Sequence, residues 1–157
     1  GLRDWRVEGE DLFLRAEGEP LVLTLGAKEA AAWVRVLEKP LPSLAAKLGV
    51  SAAARVWLIG GPAPEEIAVA GAGAEASGPE EAAMIVAVLT GPGDLAAALA
   101  AGADSGLRVW CVYGKGKGAA VGDAAVREAF RAAGWKDIKS CAVSDRFSAT
   151  LYRPPTA

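Results

Sequence analysis

The chain has 157 residues, one domain by length and enough to bury about two-thirds of its unfolded surface without a metal or disulfide staple. Its net charge of −2 excludes general attraction to nucleic acid, which needs an excess of basic groups to release counterions. The longest dense apolar run, Met84 to Leu89, is far too short to span a bilayer, and the absence of histidine removes the commonest general base and zinc ligand. Gly1, read as a cloning scar or a processed end, is followed by neither a charged n-region nor an apolar h-region, so a cytoplasmic location is expected.

From Trp5 to Leu25 apolar and polar residues alternate loosely. Gly9-Glu10-Asp11 and Glu17-Gly18-Glu19-Pro20 interrupt them, which predicts two or three short antiparallel strands. So small a ribbon is marginal alone, so it must lie on the rest of the chain or on a second copy. Ala27 to Glu38 reads as a helix, with Ala30, Trp33, Val34 and Leu37 at helical spacing, and Lys39-Pro40 ends it. Ser43 is placed to cap a short helix, Leu44 to Leu48, which Gly49 terminates.

Strand and helix then alternate. Arg55 to Ile59 is a strand running into Gly60-Gly61-Pro62, and Pro64-Glu65-Glu66 opens a helix whose acids suit the helix dipole. Ala83 to Leu89 is a second strand, leading through Thr90-Gly91-Pro92-Gly93 to a helix expected from Leu95 to Ala101 with Asp94 as its cap. Val109 to Tyr113 is a third, continuously apolar as in strands buried on both faces. It opens into Gly114-Lys115-Gly116-Lys117-Gly118 before a helix from Asp123 to Ala133. Three strand-then-helix units imply right-handed crossovers and parallel pairing. The tail, Ile138 to Val143 and Phe147 to Tyr152 about Ser144-Asp145-Arg146, predicts a hairpin at one sheet edge.

The helix ending Ala132-Ala133-Gly134-Trp135, with the closing run Ala149-Thr150-Leu151-Tyr152-Arg153-Pro154, resembles the C-terminal half of Rossmann-like methyltransferases. A wider set of residues, 43–49, 56–62, 109–118 and 142–146, resembles an uncharacterised bacterial family of small Rossmann-like domains of unknown function. The resemblance implies a three-layer, doubly wound, mostly parallel α/β sheet with methyltransferase-like topology, closed by the C-terminal antiparallel hairpin and preceded by an N-terminal β-ribbon and helix. Residues 1–40 then hold the ribbon and helix and residues 41–157 the Rossmann-like domain, as one compact unit. The methyltransferase cofactor pattern is missing, because no acid precedes Gly60-Gly61 and none closes the second strand.

Glycines at 114, 116 and 118 let backbone N–H groups approach an anion, and Lys115 and Lys117 add charge, so a phosphate-containing ligand is the natural guest. A mobile, solvated loop explains the same residues. The P-loop pattern is not met, since no Ser or Thr follows Lys117-Gly118. If the strands are parallel, the loops after residues 60, 90 and 114 share one rim and their glycines line one crevice. Arg146 either reaches this crevice as a bidentate anion ligand or stays in its turn, where Ser144 and Asp145 satisfy backbone groups. Glu65-Glu66 and Glu80-Glu81 have a sufficient reason in first helical turns, Cys111 and Cys141 read as small buried hydrophobes, and no catalytic or metal-ligating set stands out.

The expected function is a non-catalytic module binding a small anion through Gly60, Gly61, Gly114, Lys115, Gly116, Lys117, Gly118 and Arg146. The cofactor is unknown, and no nucleic acid or membrane partner is expected. Two rivals stand beside it: a degenerate S-adenosylmethionine-dependent transferase with its cofactor over Gly60 and Gly61, and an interaction protein that forms a homodimer through its N-terminal ribbon.

Overall fold

A computed structural model describes residues 4–16 and 18–156; Gly1 and the ribbon-turn residue Glu17 lie outside them. The described residues fall into two compact units, one ending at Leu41 and the other beginning at Pro42.

In the first unit β1 (Trp5–Glu8), β2 (Asp11–Ala16) and β3 (Glu19–Thr24) form an antiparallel sheet, followed by α1 (Ala27–Leu37). The register sets Val7 against Leu12 and Leu12 against Leu23, and likewise Trp5 against Leu14 and Leu14 against Leu21. Period-two alternation therefore gathers these side chains on one face. α1 packs on β1 and β2, with Leu12 and Ala30 fully buried. On the other face the Arg6 guanidinium lies 4.8 Å from the centre of the Phe13 ring. Leu21 and Val22 of β3 stay exposed.

The second unit is built on a five-stranded sheet in the order β4-β5-β6-β8-β7, comprising β4 (Val56–Gly60), β5 (Met84–Leu89), β6 (Arg108–Gly114), β7 (Lys136–Ala142) and β8 (Phe147–Arg153). β4, β5 and β6 pair in parallel, whereas β8 runs antiparallel to both β6 and β7. This corrects the expected three-layer, doubly wound, mostly parallel sheet and its methyltransferase-like topology. The described residues form a separate three-stranded antiparallel sheet and a mixed sheet whose ladders are half antiparallel, with five α-helices in all. The physical reason lies in the tail: the hairpin does not merely flank the parallel strands, because β8 takes the ladder of β6 from Val109 to Gly114.

The helices are α2 (Leu44–Leu48), α3 (Glu65–Gly71), α4 (Pro92–Ser105) and α5 (Asp123–Ala132). None among the described residues is long and apolar enough to cross a membrane. Ser43 caps α2 by accepting from the Ala46 N–H at 3.2 Å, and Gly49 ends it at φ 78°. α4 starts three residues earlier than expected, with Pro92 in its first turn. Asp94 therefore reaches back rather than capping from outside, accepting from the Thr90 and Gly91 N–H groups at 2.8 and 3.0 Å and from the Thr90 hydroxyl at 2.6 Å.

Each sheet face carries its own core. Val56, Val86, Val88, Trp110 and Leu151 pack with Leu48 and Ile67, and the Trp110 indole donates to the Leu48 carbonyl at 2.9 Å. On the opposite face Ile85, Val109, Cys111 and Tyr152 pack with Ala98, Val126 and Phe130. There Phe130 stacks on Tyr152 at 4.3 Å and meets the edge of Trp135 at 5.3 Å. Such aromatic pairs contribute roughly 0.5–1.5 kcal/mol beyond burial. β7 carries an irregularity between Asp137 and Lys139, so that Asp137 faces Tyr152 while Ser140 faces Thr150.

Candidate functional site

Because β4, β5 and β6 are parallel neighbours, their exits at Gly60, Leu89 and Gly114 lie on one rim of the sheet. Of the three loops, the third borders a cavity. This cavity of about 560 Å³ opens beside the third exit, walled by Gly114, Lys115 and Gly116, by Gly122 and Arg127 at the start of α5, and by Ser140 of β7. Its wall contains neither Gly60 nor Gly61, and neither Lys117, Gly118 nor Arg146.

Gly60 and Gly61 have another reason to be glycine. A Cβ at Gly60 would lie 2.2 Å from the Val88 carbonyl oxygen, and one at Gly61 2.4 Å from the Thr90 side chain. Their missing side chains let β4 leave the sheet against β5, where the Gly61 N–H donates to the Val88 carbonyl at 2.9 Å. Packing thus accounts for both without a cofactor above them.

The glycine loop is tied to the hairpin turn. The Lys115 N–H donates to the Arg146 carbonyl at 2.8 Å, and the Lys115 ammonium donates to the Ser144 carbonyl at 2.6 Å. Ser144 in turn accepts from the Arg146 and Phe147 N–H groups at 3.2 Å, which is turn chemistry. Arg146 therefore contributes a carbonyl to the loop, while Lys115 is the cation held at the cavity rim. α5 begins at Gly122 with no side-chain cap, leaving its first N–H groups without an intrahelical or side-chain partner.

Beneath the rim runs a chain of polar side chains that sequence reasoning missed. Ser140 Oγ lies 2.8 Å from Thr150 Oγ1, which lies 2.8 Å from the Tyr113 hydroxyl, and that hydroxyl donates to Asp123 Oδ1 at 2.6 Å. Arg127 Nε donates to Asp123 Oδ2 at 2.7 Å, and Arg127 also donates to Asp137 at 2.9 Å, where Arg131 joins at 3.0 Å. The Asp123–Arg127 pair sits at helical i,i+4 spacing, a signal open to inspection in the sequence. The Ser140, Thr150 and Asp137 members depend on cross-strand register and gave no such signal.

This network sets the protonation states. The Arg127 hydrogen bond holds the Asp123 carboxyl below its ordinary range against the opposing effect of burial, and Arg131 does the same for Asp137. Burial, reinforced by the hydrogen bond to Asp123, pushes the Tyr113 phenol up to about 12. At neutral pH the site is then two carboxylates matched by two guanidiniums, a neutral phenol and two neutral hydroxyls. Among the described residues no group of three or more His, Cys, Asp and Glu side chains is placed to hold a metal ion. Cys111 is fully buried, and burial drives its thiol up, away from the reactive thiolate.

No protein-family model, curated protein or solved structure matches this chain. The cavity is therefore read from its own chemistry.

Proposed function

We propose that the chain is a non-catalytic binding module for a small anion seated between the β6 exit and the start of α5. The observation that carries this reading is the pairing of Lys115, anchored at the rim by the Ser144 carbonyl, with an uncapped helix start across the same cavity. An ammonium and a first helical turn both favour negative charge, and the glycines at 114, 116 and 122 let backbone donors approach it. Asp123 opposes an anion little, since Arg127 neutralises it. Catalysis finds no support here: the carboxylates are held ionised by guanidiniums and are weak bases, and the phenol keeps its proton at neutral pH.

Thermal melts with inorganic phosphate and pyrophosphate test the reading. A ligand at one hundred times its Kd adds about 2.7 kcal/mol, which raises Tm by roughly 5–10 °C in a chain this size. Lys115→Glu should abolish the shift, while Lys117→Glu, off the cavity wall, should leave most of it. No shift with either anion, or equal losses in the two variants, refutes the cavity as the site.

A further inference from the structure

We propose that the ligand of this cavity is a phosphorylated sugar, its phosphate beside Lys115 and one of its hydroxyls donating to Ser140 Oγ. The inference rests on the anion reading above and adds to it the chemistry of the ligand's other end.

The direction of the hydroxyl chain follows from counting donors. Ionised Asp123 can only accept, so the Tyr113 proton points to it. Tyr113 oxygen must then accept from Thr150, and Thr150, its single proton committed, must accept from Ser140. Every proton in the chain runs toward the carboxylate, and each bond polarises the next. Ser140 is thereby left at the cavity wall with acceptor lone pairs and no proton to offer.

An acceptor there selects a ligand with a donor at that end. Asp123 on the same wall is paired with Arg127, so Lys115 leaves the wall net positive and disfavours an ammonium donor, and a neutral hydroxyl meets the acceptor instead. Tyr113, the one aromatic residue on the wall, is only 4% exposed and offers no ring face on which a base stacks, so a sugar phosphate fits better than a nucleotide. The chain acts by orientation and not as a proton wire, because Asp123 is too weak a base to draw the Ser140 proton.

Calorimetric titration at neutral pH with ribose 5-phosphate, methyl phosphate and ribose separates the two ends. Ribose 5-phosphate should bind roughly tenfold more tightly than methyl phosphate, the value of one well-placed hydrogen bond. Ser140→Ala should bring that ratio to about one, as expected for the loss of one such bond. Ser140 lies exposed on the outermost strand, so the variant should melt as the parent does. Equal binding of the two esters by the parent protein, or a ratio that survives Ser140→Ala, overturns this inference and leaves the anion reading standing. Binding of neither ester, or of ribose as tightly as its phosphate, overturns both.

Discussion

Alanine at position 60 meets two separate obstacles. Gly60 has φ 92°, a conformation that costs an L-residue roughly 1–2 kcal/mol. Its new Cβ would also fall 2.2 Å from the Val88 oxygen, far inside the 3.0 Å that real Cβ atoms keep. Val88 is backbone of β5, paired on both sides, so relief must come from shifting a central strand. Overpacking of this kind costs roughly 1–3 kcal/mol, so Gly60→Ala should lose about 2–5 kcal/mol in all. Gly116 supplies the control, with φ 82° and nothing within 4 Å of its added Cβ, so Gly116→Ala should lose only the conformational part. Equilibrium urea unfolding measures both, with an unchanged denaturant slope confirming that the comparison is of stability alone. Losses equal within about 0.5 kcal/mol, the range of ordinary surface substitutions, refute the packing account of Gly60.

Three further expectations follow from buried and paired groups. Asp94, Asp123 and Asp137 all have folded-state pKa values lowered by their hydrogen-bond partners. Their contribution is complete above the unfolded carboxyl value of about 3.9 and is lost as pH falls through the lower folded values. Tm should therefore hold from neutrality to about pH 5 and drop below about pH 4, less steeply in Asp123→Asn; identical slopes sink the assignment. Trp110→Phe strands the buried Leu48 carbonyl and should cost roughly 1–3 kcal/mol by urea unfolding. Tyr152→Phe should leave stability unchanged or raise it, since that buried hydroxyl has no partner among the described residues.

Local signals located most elements. The apolar runs at 56–59, 84–89 and 109–113 are strands, Ser43 and Gly49 bracket a helix, and the tail is a hairpin. The sheet's overall character was not legible, because an apolar strand buried on both faces has the same composition whether its neighbour is parallel or antiparallel. β6 has one of each, β5 on one side and β8 on the other. At the site, Gly114, Lys115 and Gly116 were visible as a glycine loop at a strand exit, whereas Gly60 and Gly61 owe their identity to close approach of β5, the neighbouring strand, which depends on how the two strands pair. Tyr113 was legible as the strand's last large residue, but its partners Thr150 and Ser140 come from strands whose register no local pattern fixes.

The irregularity in β7 decides which side chains the outer strand presents toward α5. Asp137 and Ser140 are separated by an odd number of steps, so an unbroken pleat would send one of them to the α5 side and the other away from it. The extra residue at Ile138 resets the phase, which lets a single outer strand supply both the anchor for Arg127 and the lone pairs facing the cavity. Deleting that one residue would leave Asp137 and Ser140 two steps apart and still on one face, whereas drawing it into a regular pleat would turn half the strand over and exchange Ser140 for a neighbour.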